Sequence, residues 1–194
     1  QKENYLTPLA KDALSVAGKS VKISGDKACE GSHMYKINGK YYIFSPAGGH
    51  GAQRCFRSDN LHGPYESKVV LYDTRNVRYG IIQGGLVQLK NGDWWCLIVE
   101  GRDPMGRTTR LEPVTWVDGW PMIGRKVTRE ERRALGPFHK PWRTDDPDVE
   151  ACEWMGVDTF KKPDVGGVHS ITAVATTDAF DAPTLGLQWQ WNHN

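Results

Sequence analysis

The chain has 194 residues, with 25 Lys plus Arg against 23 Asp plus Glu and a net charge of +2; such a mixed balance raises no long-range field, so neither nucleic acid nor a membrane surface is expected as a partner. Eight Trp, seven Tyr, 21 Gly and 11 Pro favour short strands joined by tight turns over long helices, an all-β class, and no apolar run approaches the ~20 residues of a membrane span. Cys29, Cys55, Cys96 and Cys152 are widely spaced with no CxxC pair, which argues against zinc and dithiol chemistry and reads as four small buried hydrophobes.

Residues 1–29 form a polar, weakly patterned lead that contains the strand-like Ser20 to Ile23. An internal repeat follows. Shifted by 53 positions, Gly31, Asn38, Gly39, Gly48, Arg54 and Arg57 fall on Gly84, Asn91, Gly92, Gly101, Arg107 and Arg110, and Tyr41-Tyr42 falls on Trp94-Trp95. Each copy carries an apolar run, an Asn-Gly turn and an aromatic-rich run: His33 to Ile37 then Lys40 to Phe44, and Leu86 to Leu89 then Asp93 to Val99. Asn-Gly in that setting predicts a hairpin with a type I′ turn, because both residues tolerate positive φ. A third strand with paired arginines and a turn at Gly63-Pro64 or Gly119-Trp120-Pro121 complete the unit. Antiparallel repeats with a period near fifty suggest propeller blades, each needing neighbours to cover its faces.

Two full blades are therefore expected over residues 30–127, with 1–29 as the end of a preceding blade. Thr128 and Glu131 spell a capping box, so residues 128–177 open with a short helix over Glu131 to Leu135. The Pro-, Trp- and charge-rich stretch from Gly136 to Pro147 reads as a linker, and 168–177 return to strand alternation as closing strands. The last twelve residues, with Gln188-Trp189-Gln190-Trp191-Asn192 near their end, read as one more strand. Two blades do not close a ring, so the remaining blades are expected from a missing segment or another chain.

In a propeller the start of each innermost strand points toward the axis. The first copy holds Glu30 there and the second Gln83. A Glu beside Cys29 and a channel wall would lose hydration, which raises a carboxyl toward the range of a general acid; a solvated Glu capping a strand is the plainer alternative. Gln83 has an amide to offer sugar hydroxyls. Arg107 reads as a member of a blade salt bridge, because Arg54 holds the equivalent place in the other copy. His50, in the loop Ala47-Gly48-Gly49-His50-Gly51, falls on the pocket side as a substrate contact. His33 reads as a buried partner of its strand, and Tyr41, Tyr42, Trp94 and Trp95 as packing between blades, with Trp116 and Trp120 flanking a turn at the rim.

The run from Glu30 through Gly31, Ser32 and His33 to Tyr41-Tyr42 closely resembles the general-acid motif of glycoside hydrolase family 43. Gly63-Pro64-Tyr65-Glu66, Gln83-Gly84-Gly85-Leu86-Val87, Gly92-Asp93-Trp94-Trp95, Gly106-Arg107 and the segment from Leu111 to Pro121 continue the match in order. The resemblance implies a five-bladed β-propeller, of which this chain covers roughly the last three blades as an incomplete ring. It makes residues 178–194 the start of a C-terminal concanavalin-like β-sandwich. It also implies hydrolysis of arabinofuranosyl or xylosyl linkages with inversion, Glu30 as general acid, and arabinoxylan, arabinan or xylo-oligosaccharide as substrate. Arg107 matches an arginine that reaches the family's pocket. The base Asp and the pKa-tuning Asp of the family match nothing in residues 1–29, so the fragment alone is expected to be inert. Ile82 stands where many relatives carry a His that organises a channel water or calcium, so no metal or other cofactor is assigned. Such an enzyme is expected to be secreted or periplasmic, with a signal peptide not in this chain. Two other readings remain: a non-catalytic carbohydrate-binding propeller, and a protein-interaction propeller.

Overall fold

The computed structural model describes residues 3–25, 29–47, 51–75, 80–102, 106–135, 146–170, 180–181 and 183–184. The chain divides into two compact units, Gln1–Asp164 and Val165–Asn194. In the second, a ring nitrogen of His169 lies 2.7 Å from the Gly166 carbonyl oxygen. Of the strands expected there, residues 171–177 and Leu185 onward lie outside the described residues, and 168–170 form none.

The first unit is built of antiparallel sheets. It opens with a hairpin of β1 (Glu3–Leu6) and β2 (Val21–Gly25). Only β2 was legible beforehand, because Glu-Asn-Tyr-Leu shows no alternation of apolar and polar residues. Two four-stranded sheets follow, each in chain order: β3 (His33–Ile37), β4 (Lys40–Ala47), β5 (Ala52–Ser58) and β6 (Glu66–Tyr72), then β7 (Ile81–Gln88), β8 (Trp94–Gly101), β9 (Arg107–Val117) and β10 (Trp120–Ile123).

The two Asn-Gly turns differ. Asn38 (φ 49°) and Gly39 (φ 83°) form the type I′ geometry between β3 and β4. Gly92 has φ 92° but Asn91 is not left-handed; its amide is engaged by Asp93, whose N–H donates to Asn91 Oδ1 at 3.0 Å, so a longer turn results. The second left-handed pair is Asp118 (φ 50°) and Gly119 (φ 73°), which joins β9 to β10. Trp120 and Pro121 therefore belong to β10 rather than to the expected turn.

Sequence equivalence between the sheets slips at the third strand. Arg54 pairs across the ladder with Ser45. The residue on the corresponding rung of the second sheet, opposite Ile98, is Arg110, and Arg107 lies three residues beyond it, opposite Gly101. Arg54 is thus the counterpart of Arg110, not of Arg107 as the 53-residue shift had it.

The sheets face each other across one buried cluster. Tyr42, Phe44, Cys55, Val70 and Leu71 of the first meet Leu86, Cys96, Ile98, Trp120 and Met122 of the second. Trp116 packs edge-on against Tyr42 (5.4 Å between centroids) and Trp94 (5.5 Å), so the seam is aromatic at one end, an arrangement favoured by the ring quadrupoles. Two of the expected packing aromatics lie elsewhere: Trp95 points to the other face and meets Phe160 at 5.2 Å, and Tyr41 takes Lys36 over its ring. The first sheet is covered on its other face too, where Ile43 and Phe56 meet Ile23 and Cys29. All four cysteines are free and buried.

After the second sheet, β11 (Arg125–Lys126) pairs with β12 (Trp154–Met155), enclosing α1 (Arg129–Ala134) and α2 (Pro147–Glu150). Thr128 and Glu131 form the reciprocal capping box of α1. The stretch read as linker lies at 136–145 outside the described residues, but Pro147 opens α2, with Asp146 capping it by accepting from the Asp148 N–H. Pro suits the first helical position, which has no N–H partner to lose.

Two Arg–carboxylate pairs, one just beyond β6 and one on β9, then grip consecutive residues. The N–H of Gly156 donates to Asp73 (3.1 Å) and its carbonyl accepts from Arg75 (2.9 Å); the N–H of Val157 donates to Glu112 (2.9 Å) and its carbonyl accepts from Arg110 (2.5 Å). Burial pushes the Glu112 carboxyl up, against the Val157 N–H and the Arg110 guanidinium that draw it down. A Cβ on Gly156 would lie 2.8 Å from Ile81, 2.9 Å from Glu112 and 3.1 Å from Asp73. Gly156→Ala is therefore expected to cost about 1–3 kcal/mol by overpacking, read as a lowered denaturation midpoint with an unchanged slope.

Candidate active site

Glu30 stands three residues before β3, and Gly31, at φ 53°, turns the chain from it into the strand. Gln83 lies near the start of β7 in a bulge: the ladder with β8 runs Ile82 to Val99 and resumes at Gly85 to Leu97, leaving Gln83 and Gly84 outside it. Gln83 adopts φ 58°, a left-handed conformation uncommon for a side chain other than Gly, Asn or Asp. The two residues that share one place in the sequence repeat thereby meet, with Gln83 Nε2 donating to Glu30 Oε1 at 3.4 Å.

Beside Glu30 opens a depression of about 490 Å³ lined by Glu3, Asn4, Tyr5, Cys29, Gly31 and Ser32 as well. Its floor is polar and fixed. Asn4, 8% exposed, donates to Ser24 Oγ (2.9 Å) and Cys29 Sγ (3.4 Å) and accepts from Ser32 Oγ (2.6 Å). Glu30 itself is exposed; the loss of hydration expected for it is not supplied by these residues.

The other predicted residues are placed as follows. Arg107 is exposed, with no ion pair among the described residues, and stands two strands from β7, about 10 Å across the sheet. His50 lies outside the described residues. His33 is not buried: its ring lies beside β7, where a Cβ on Gly85 would come within 2.9 Å of Nδ1. Arg54 is a structural ion pair, wholly buried against Asp146 (2.8 Å) and, through its other terminal nitrogen, Asp148 (3.0 Å). Ile82 is buried at 4% exposure, and among the described residues no group of three or more His, Cys, Asp or Glu is placed to hold a metal ion. No thiol is poised as a nucleophile, since burial raises all four, Cys96 to about 12.

Sequence reasoning missed Gln53, which is fully buried in β5 and whose Oε1 accepts from the Gly84 N–H at 3.0 Å. It also missed the role of Tyr35, whose hydroxyl accepts from the Leu86 N–H at 2.8 Å. A glutamine between Ala52 and Arg54 carries no motif signal.

Among known proteins, the chain is 31% identical, over 99% of its length, to the β-xylosidase of Formosa agariphila, of which it covers 32%. It is 32% identical over 88% of its length to the non-reducing end α-L-arabinofuranosidase BoGH43B of Bacteroides ovatus, covering 30% of that protein. The chain thus spans about a third of the length of these relatives. Among solved structures, a bifunctional GH43-CE protein of Bacteroides eggerthii matches over 62% of this chain and 17% of its own, with 36% identity and a TM-score of 0.55. The xylan β-1,4-xylosidase of Bacillus halodurans shares the fold over 95% of this chain and 34% of its own, at 24% identity and a TM-score of 0.66. Residues 1–121, which take in the opening hairpin, the Glu30–Gln83 contact and most of both sheets, match the family described as glycosyl hydrolases family 43, and the chain belongs to that family.

Proposed function

We propose that this chain is part of a glycosidase that removes terminal xylosyl or arabinofuranosyl units from plant polysaccharide outside the cytoplasm, with Glu30 as the general acid. The two four-stranded sheets are then consecutive blades of a five-bladed ring, completed by polypeptide other than this chain. The observation that carries the reading is the meeting of Glu30 and Gln83 at the inner edge of both sheets, beside an open depression with a fixed polar floor. Equivalent positions of neighbouring blades come together only near the axis of a propeller, where a sugar ring would sit. The names of the relatives supply the substrate class.

An inverting mechanism divides the work. Glu30 hands its proton to the departing glycosidic oxygen, and a second carboxylate draws a proton from water on the opposite face of the ring, the two carboxyls standing roughly 6.5–9.5 Å apart to admit that water. The residues described here supply the acid's side. The base and the carboxylate that tunes the acid would come from the completing segment, which would also cover the exposed Glu30. Arg107 would reach sugar only if substrate extends over the edge of the second sheet.

The test is to assay the complete polypeptide on aryl β-xylosides and α-L-arabinofuranosides and to follow the first-formed anomer by NMR. Turnover with inversion by the complete protein, and none by residues 1–194 alone, is expected. Binding of arabinoxylan oligosaccharide by the complete protein with no turnover would overturn the assignment in favour of a carbohydrate-binding propeller.

A further inference from the structure

We infer that Gln53 is a positioning residue for the general acid, acting across the seam between the sheets through the bulge in β7; the inference rests on Glu30 being that acid. The bulge leaves Gly84 outside the ladder with β8, while Leu86, which is paired there with Cys96, has its N–H met from the first sheet; a donor left without a partner inside a protein is costly enough that nearly all are satisfied. Both relevant donors are met by side chains of the other sheet. Gln53 Oε1 accepts from Gly84 at 3.0 Å, and the Tyr35 hydroxyl accepts from Leu86 at 2.8 Å.

Gln53 is itself held. It is completely buried, sits on β5 between Pro46 and Leu71, and donates through Nε2 to the Arg54 carbonyl at 3.5 Å. Gly84 is wedged from the other side, since a Cβ there would lie 2.5 Å from Cys96 Sγ and 2.9 Å from Ile98. Between these constraints the preceding residue, Gln83, is kept left-handed, a conformation that persists only where the surroundings enforce it. That conformation aims its amide at Glu30. A Cβ on Gly31 would meet Gln83 Nε2 at 3.0 Å, so the amide and the turn carrying Glu30 are fitted to one another. Gln53 thus reaches the acid through one backbone N–H and one side chain, touching neither substrate nor Glu30.

A device of this kind matters in proportion to how much the reaction needs the acid. In the complete protein, Gln53→Met removes the acceptor at similar volume, Tyr35→Phe removes the second acceptor without opening a cavity, and Gln83→Ala removes the amide. Each is assayed on a xyloside or arabinofuranoside with a poor, alkoxide-like leaving group and on one with 2,4-dinitrophenolate, which departs without a proton. Gln53→Met and Gln83→Ala are expected to lower kcat about tenfold on the poor leaving group, as misplacement of a catalytic group does, with a distinctly smaller loss on dinitrophenolate and little change in KM. The double variant should lose no more than the larger single loss, because both act on one link. Tyr35→Phe should show the same selectivity in smaller measure, and it decides the matter if Gln53→Met fails to fold. Equal losses on both leaving groups, or additive losses in the double variant, would overturn the inference. Glu30→Gln assayed in parallel separates the two failures: if it lacks the leaving-group selectivity, the acid assignment fails; if it has the selectivity and the Gln53 and Tyr35 variants do not, only the positioning role fails.

Discussion

Glu30→Gln in the complete protein is expected to lower kcat on a poor leaving group by about 10²- to 10⁴-fold, the range a positioned general acid contributes. The amide is isosteric and keeps a hydrogen bond to Gln83 within reach, so folding and KM should change little. On dinitrophenyl glycosides the loss should shrink sharply, because that oxygen leaves as a stable anion. An unchanged rate on the poor leaving group would remove Glu30 from the chemistry.

The largest expected effect on stability belongs to Arg54→Met. Arg54 is wholly buried, Asp146 is 8% exposed, and the pair is closed by Ser67 at 3.0 Å and by Asp148, which is half-exposed. Removing one member of such a pair leaves a buried charge without its counter-ion and costs about 3–5 kcal/mol. For a unit of this size that corresponds to a fall in Tm on the order of 10 °C. Adding Asp146→Leu should restore much of the loss, since a buried ion pair exchanged for apolar packing is often near neutral. If Arg54→Met alone leaves Tm in place, the pair does not anchor α2 to the first sheet. Asp148 contributes less, because solvent screens an exposed carboxylate.

Arg54 also shows where sequence was a sound guide and where it misled. Shifted by 53 residues, the chain aligns Glu30 with Gln83 and Tyr42 with Trp95, and the structure brings the first two together and buries the second two. The first hairpins were legible because apolar alternation and a tight turn are local signals. Register in the third strand is not local: β9 has 11 residues against 7 in β5, and ladder pairing with the strand before it, not identity of residue type, decides which arginine is buried. Arg110 rather than Arg107 therefore repeats the role of Arg54. The segment 146–158 was hidden for a related reason. Its strand is two residues long, and its hold on the sheets comes from Arg54, Asp73, Arg75, Arg110 and Glu112, all distant in sequence. At the site, the acid was visible as a motif. Its support was not, because a buried glutamine accepting one backbone N–H leaves no trace in composition or spacing.

The four cysteines bear on how the chain meets reductants and oxidants. Four thiols shielded from solvent, none joined to another, give the fold no cross-link to lose to a reductant and no exposed thiol for an oxidant to find. The fold of this chain therefore owes nothing to a cystine, and a thiol reductant should leave its denaturation midpoint where it was.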